Sequence, residues 1–551
     1  MPERNPNTFL LRLSAWLLLA ATGWVCVSRP ALAQTDVGSP GEKIGWVPRA
    51  ILERPVPVRQ GIGNLHEKVT TSSLEAQTFY DQGLDYFSGY DWIEAARSFN
   101  QALRLDPSLA MAYIRLSEVY TQLQDNSAAR IACNKAQSLS SRVSERERAR
   151  IQIRADHLDY IEDPDSEQKY VVWRKAISEA LTANLTDWGL WILLGNAIGD
   201  GEGIESVADY ETALAFSTNN SAAHHILAHT FEHLGQTQQA LAHAEAFVRV
   251  APSIRHAHHM LGHELRRLGR TAEAITEFRK ADELENSYYR TENIPARYDW
   301  HRAHNLLLLA MCYEALGQMK AAAPLLHEAF SLPAYTDTAE YYRREWPDFL
   351  LDRGRPEESL TAARELIESS AWPSGRLAGH ESAGRALLAL HRSDEAKNEL
   401  ELAEREMERL PAHLSSELPG SGILSGEILL RDQKQPEADA VFKKVEADLR
   451  AMPGADTWSL ALFQLQFIAQ LARQFGDWNL AEFTARQMIE HDPSYAGGYY
   501  ALGLAAEHSG DTASARRQFQ MAEKLWGSAD PGLPELVHLQ ESLAATRHGS
   551  D

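Results

Sequence analysis

The chain has 551 residues, a formal net charge of −22 at neutral pH, and a content of 44% apolar and 9% aromatic residues. An acid surplus of that size excludes a protein that wraps nucleic acid by neutralising phosphates, or one that rests on an anionic membrane surface. The apolar and aromatic content excludes a largely disordered chain, and the length holds either several globular domains or one long repeat array.

Residues 1–33 read as a secretory signal. Arg4 and Arg12 precede an apolar run from Leu13 to Val27, and Ala31-Leu32-Ala33 supplies the small-x-small pattern ahead of Gln34. Cleavage there predicts export, in a bacterium to the periplasm. The alternative is an uncleaved single-span anchor, because the run is only slightly too short to cross a bilayer. Trp24 and Val25 are too large for a lipidation box ahead of Cys26. No later segment is long and apolar enough to span a membrane.

Cys133 and Cys312 are the cysteines left after cleavage. They lie far apart on apolar helical faces, so small buried hydrophobes are expected rather than a disulfide framework. Residues 34–74 contain Pro40, Gly41, Pro48, Pro55, Pro57, Gly61 and Gly63 without sustained periodicity, and read as an extended linker or arm. Whether Asn64-Leu65-His66 docks on the first hairpin is left open by the sequence.

From residue 75 a helical pattern recurs. Residues 76–109 place Phe79, Gly83, Tyr86, Ala95, Phe99, Ala102 and Pro107 at offsets that return at 110–143 (Tyr113, Leu116, Tyr120, Ala129, Ala136) and at 496–529 (Tyr499, Leu502, Gly503, Gly510, Ala515, Phe519, Ala522). Between them Trp191/Leu194/Gly195, Leu306/Leu309/Tyr313/Leu316/Gly317, Gly384/Ala396/Leu400 and Gly476/Ala481/Pro493 keep a looser register. These residues resemble the tetratricopeptide repeat (TPR) signature, and the resemblance covers about 450 residues.

It implies an all-α fold: a TPR-type right-handed superhelical solenoid of about eleven helical hairpins. The expected divisions are N-terminal units at 75–182, central His-rich units at 183–336, C-terminal units at 337–530, and a capping helix and tail at 531–551. Small residues such as Gly83, Gly262 and Gly503 let paired helices approach, while Tyr86 and Phe99 are expected to fill the gap to the next hairpin. No single hairpin buries its apolar face alone, so the units must stack.

Residues 221–286 hold two hairpins that align without a gap at a period of 34: Gly235 on Gly269, Ala240 on Ala274, and the pair His225/His229 on His259/His263. Nine of the 21 histidines fall between His224 and His263. Each pair is spaced i, i+4 and so shares one helix face. The stretch is similar to a bacterial subgroup of exported TPR proteins whose central units carry an AH-x4-H helix, an H-x2-H-M-x2-H helix and a Tyr-x-Trp-His element. Here these fall at Ala223–His229, His256–His263 and Tyr298–His301, with Leu261-Gly262 departing from that subgroup's usual Pro-Ser.

First helices line the concave groove in TPR proteins, which places His225, His229, His259 and His263 in groove-facing slots. His256 and His304 lie one turn before the groove slots of their own helices, Glu232 and His233 extend the first pair, and a His-rich site results if His301 or His304 reaches across from the third unit. His224 and His258 are expected to pack inward.

Three readings follow. The groove holds a protein, peptide or small ligand without metal; or His225, His229, His259 and His263 bind a divalent transition metal (Zn, Cu, Ni or Fe), with Glu232 or Glu264 as ligand or general base; or the histidines are satisfied by neighbouring Glu and Gln. No P-loop, dinucleotide fingerprint, HExxH or nucleophile elbow is present, so catalysis is left open. Met260 and Met311 are expected to pack rather than to bind copper.

Overall fold

The computed structural model describes residues 43–548 except 199, 200, 202, 412, 413, 415–417, 419 and 452–454. The secretory-signal reading of residues 1–33, and the start of the arm at 34–42, lie outside the described residues. Among those described the regular elements are helices apart from a small ribbon, β1 (Lys43–Ile44) antiparallel to β2 (Val47–Pro48). No described helix is long and apolar enough to cross a membrane.

After a short α1 (Arg49–Leu52) the helices pair into hairpins. These are α2/α3 (Leu74–Ser88, Trp92–Leu105), α4/α5 (Ala110–Gln122, Asn126–Ser138), α6/α7 (Glu145–Glu162, Glu167–Ala183), α8/α9 (Trp188–Asn196, Ile204–Phe216), α10/α11 (Ser221–His233, Thr237–Val250) and α12/α13 (Arg255–Arg267, Thr271–Glu292). There follow α14/α15 (Trp300–Ala315, Met319–Ser331), a broken first helix α16 and α17 (Asp337–Tyr342, Glu345–Asp352) with α18 (Pro356–Ser369), and α19/α20 (Pro373–Ala389, Ser393–Met407). The last hairpins are α21/α22 (Gly422–Arg431, Gln435–Ala451), α23/α24 (Ala455–Gln474, Trp478–His491) and α25/α26 (Ala496–His508, Thr512–Leu525), closed by α27 (Pro534–His548). Two compact units result, the first ending at Met260 and the second beginning at Leu261, inside α12.

Close approach within a hairpin comes from one repeated device. A Cβ added at Gly83 would lie 2.4 Å from the Phe99 ring, and at Gly426 or Gly503 it would lie 2.5 Å from Phe442 or Phe519. Glycine on the first helix thus makes the hole that an aromatic ring on the second fills. Phe99 therefore packs inside its own hairpin, and the expectation that it spans to the next one is corrected. Side-chain oxygens of Ser73, Asp125, Ser166 and Asn220 cap α2, α5, α7 and α10 by accepting backbone N–H groups of the first turn.

In the first unit the arm is part of the fold. Ile44, Val47, Leu52, Val56, Ile62, Leu65 and Val69 are buried. Its carbonyls take up side chains of α2 and α3: Asn100 donates to Leu52 O, Arg104 to Glu53 O, Arg97 to Pro55 O and Gln82 to Pro57 O. Further along, Leu65 N–H donates to Asp85 at 2.9 Å. Glu67 then enters a nest of cations, with Arg115 at 2.7 Å, Arg146 at 2.9 Å and Arg150 at 3.7 Å, and accepts the Tyr80 hydroxyl at 2.7 Å. The histidine-bearing end of the unit returns to its beginning. Arg255 pairs with Asp91, Ser253 N–H donates to Gly61 O, and Ile254 packs on Gly89.

The second unit also closes on itself. Its early hairpin α14/α15 meets the C-terminal hairpins: Asp530 N–H donates to Gly317 O at 3.0 Å, Lys320 N–H to Asp530 at 2.8 Å, and Gln318 to Ser528 at 2.9 Å. Trp526 and Leu533 lie against Gly317, and Arg266 reaches Asp492 at 2.7 Å. Cys133 in the first unit and Cys312 in the second are buried free thiols, and burial pushes Cys312 up to about 12.

Candidate functional site

Two features share a wall in the first unit: an open cavity and a histidine cluster. The cavity encloses about 950 Å³ of non-protein space, part of it open to solvent, and its lining comes almost entirely from the first helices of the hairpins, α2, α4, α6, α8 and α10. Phe87, Trp188, Ile192 and Ile226 give it apolar and aromatic surface, and Arg115, Glu118 and Arg154 give it charge.

Arg154 is 4% exposed. It donates to Ser117 O at 2.8 Å, Ser117 Oγ at 2.9 Å and Thr121 Oγ1 at 2.5 Å, and its Nη1 lies 3.0 Å from His157 Nδ1. No described carboxylate lies within ion-pair distance of it. Burial lowers Arg154 to about 10, against the raising influence of Glu118, so it remains a cation at neutral pH. Burial, reinforced by that charge, holds His157 well below the usual imidazole value.

The cluster is built on α10 and α12. His225, His229 and His256 are buried, and each offers a donor atom within 4.8 Å of the others. His225 Nδ1 lies 2.6 Å from Ser88 O. A carbonyl only accepts, so Nδ1 carries the hydrogen and Nε2 presents its lone pair. That lone pair faces His229 Nε2 at 3.1 Å. Fixing the outer ring nitrogen on a carbonyl while freeing the inner one is how metal-binding imidazoles are oriented. Burial, partly offset by the Ser88 carbonyl, lowers His225 to about 4, so the ring is neutral and competent as a ligand near neutrality.

Phe247 stacks on His225 with centroids 4.8 Å apart. Tyr90 covers the other side, 4.3 Å from His225 and 5.0 Å from His256. Tyr90 occupies the helix-to-helix turn with φ +58°, a left-handed position that Gly235, Gly269, Gly317, Gly476 and Gly510 take in some hairpins and Gln124, His391 and Gln433 in others.

The other expected residues are placed as follows. His259 is buried on α12, its ring 5.4 Å from His256. In the second unit His263 and His304 have ring centroids 5.9 Å apart. His301 Nδ1 lies 2.5 Å from Glu285, whose other oxygen takes Arg302 at 3.1 Å. Glu232 and Glu264 are buried and His233 is half-buried. His224 pairs instead with His243 at 3.0 Å, and His258 contacts Pro252 O at 3.1 Å, so both turn to their own surroundings. Met260 and Met311 are buried. Sequence reasoning missed Ser88 and Tyr90, since neither a backbone carbonyl nor a turn tyrosine stands out in the repeat pattern.

The tetratricopeptide repeat family matches residues 80–142 and 468–534, and a second description of the same repeat matches 256–288. No curated protein matches the chain. Among solved structures, yeast Tom70 is 13% identical with a TM-score of 0.34, covering 86% of this chain and 96% of that one. A tetratricopeptide repeat protein from Parabacteroides merdae is 16% identical with a TM-score of 0.34, over 47% of this chain and 93% of that one. YrrB, described as a TPR protein with an unusual peptide-binding site, is 17% identical with a TM-score of 0.26, over 36% and 91%. With its successive hairpins and these matches near both ends and in the middle, the chain carries tetratricopeptide repeats in an all-α fold.

Proposed function

We propose that this is an exported TPR scaffold whose first unit binds a peptide or small ligand bearing an anionic group. The observation that carries it is Arg154, a buried guanidinium without a carboxylate partner, set in a wall of aromatic and aliphatic side chains from consecutive first helices. Preformed helices would hold such a ligand with little reordering. Export rests on the pattern of residues 1–33. A photo-crosslinking residue at Ile192, in the cavity, should capture a species in cells that the same residue at the exposed Lys175 does not. Arg154→Met should abolish that capture. Identical products from both positions, or capture that survives Arg154→Met, would refute the proposal.

A second reading is favoured by the His225–Ser88 contact: His225, His229 and His256 hold a divalent transition metal at the edge of the cavity. Tetrahedral bonds of about 2.0–2.1 Å set nitrogens about 3.3 Å apart, close to the separation of the facing His225 and His229 nitrogens. Elemental analysis of protein without a histidine tag should then find about one equivalent, lost in His225→Ala/His256→Ala. Metal below about a tenth of an equivalent after incubation with Zn or Cu salts and desalting would remove this reading.

A further inference from the structure

The second unit contains a separate cavity whose polar lining is incompletely matched. It encloses about 460 Å³, including space open to solvent. Its lining comes from α14 (Glu314), α17 (Glu345, Asp348, Phe349, Asp352), α19 (Arg385) and α23, which supplies Phe463, Gln464 and Phe467. Two of the four carboxylates have partners. Asp348 pairs with Arg344 at 2.9 Å and Arg385 at 3.1 Å, and Asp352 takes Gln470 at 3.2 Å as well as Arg353. The other two do not: Oε1 of Glu314 and Oε1 of Glu345 are buried without a hydrogen-bond partner.

An independent group in the same lining shows the same deficit. Gln464 is 4% exposed, and neither its Oε1 nor its Nε2 has a partner. A buried amide with both ends unmatched costs free energy that a bound molecule would recover. Aromatic surface completes the chamber, and Arg385 already lies over the Phe467 ring at 3.6 Å, so this wall accommodates a cation against a ring face.

From these groups we infer that the cavity is a binding site for a small organic ammonium: the charged head lies between Glu314 and Glu345, Gln464 supplies a further acceptor, and the carbon body rests on Phe463 and Phe467. Arginines already match Asp348 and Asp352, so what is left over is a pair of glutamate acceptors, which favours a cationic donor over an anion. A bare metal ion fits poorly, because among the described residues no three carboxylates bring oxygens within 4.8 Å of one another. A cation several atoms long can instead reach carboxylates that stand apart. The site lies wholly in the second unit and is independent of the ligand proposed for the first.

Titration calorimetry of the full chain with 2-phenylethylamine, and with 2-phenylethanol as its uncharged counterpart, tests this. The amine should bind with a Kd below about 1 mM, and the alcohol at least about tenfold more weakly. Glu314→Gln/Glu345→Gln keeps the shape of both side chains and should weaken amine binding by at least about tenfold. Gln464→Leu should weaken it by a smaller factor. Absence of amine binding, equal binding of amine and alcohol, or an unchanged Kd in the double variant would each overturn the inference. The amine-to-alcohol comparison on the natural chain decides the matter even where the double variant fails to fold.

Discussion

Replacing Glu67 by glutamine keeps the side chain's shape and its contact with Tyr80 but removes the charge that faces Arg115, Arg146 and Arg150. Burial by itself would raise this carboxyl; Arg115, Arg150 and Arg146 override that effect and hold it far below its ordinary value of 4.5. The side chain is 2% exposed, so solvent does little to screen the interaction. Removing one partner of a buried ion pair costs about 3–5 kcal/mol. The lower end applies here, because the arginines keep other carboxylates: Arg115 holds Glu118 at 2.8 Å, while Arg146 and Arg150 hold Asp187 at 2.8 and 2.7 Å.

A loss of about 3 kcal/mol in a unit of roughly 200 residues lowers its melting midpoint by roughly 6–12 °C. Scanning calorimetry measures that shift, and hydrogen exchange at Leu65 and Val69 reports whether the arm lifts. The pH dependence has a definite sign. A carboxyl whose folded pKa is depressed contributes stability above its unfolded value and loses it as pH falls through the folded one. The gap between natural and variant midpoints should therefore be full at neutral pH and close as pH drops below about 4.5. A variant that melts within about 1 °C of the natural chain at pH 7, with unchanged exchange at Leu65, would show that the arginine nest does not anchor the arm.

Asp85 titrates in the opposite sense. Burial, with a smaller contribution from Asp81 and against the Leu65 N–H, raises it to about 7, so the stability it brings is lost as pH rises from its ordinary value through about 7. Asp85→Asn should flatten that slope and raise the first unit's unfolding free energy at pH 8 by about 2 kcal/mol, read by calorimetry. Gly503→Ala would drive a Cβ to 2.5 Å from Phe519 and should cost about 1–3 kcal/mol in thermal unfolding, whereas Gly510→Ala meets nothing within 4 Å and should cost less, chiefly through its φ of +78°. Asp530→Ala removes the acceptor for Lys320 N–H and should speed proteolysis near residues 526–533 without changing the exchange of the first unit's arm.

The regular part of the molecule was legible because it is local. The period of 34 and the return of Gly83 and Ala95 as Gly503 and Ala515 depend on residues within one hairpin, and the i, i+4 spacing of His225 and His229 is a property of a single helix. The Gly83–Phe99 contact was not read from the sequence, which placed Phe99 toward the next hairpin. What was not legible depends on distant backbone. His225 is oriented by Ser88 O, 137 residues away in sequence, and no side-chain pattern announces a carbonyl. The arm's docking had the same character: Arg97, Asn100 and Arg104 bind carbonyls of residues 52–55, which the side chains there do not advertise. Gln464 and Glu314 became a pair of interest only once α23 and α14 were known to border one chamber.

The meeting of Gly317 with Asp530 has a consequence for how the second unit assembles. An open stack can grow one hairpin at a time, each resting on its predecessor. Joining segments 210 residues apart adds a closure step whose entropy must be met before its contacts form, which slows folding. Once fastened, the unit gives up the stretch and recoil of a spring and behaves more like a buckled belt. Trimming it from the C-terminus should then loosen α14 and α15 at the far end together with the helices removed.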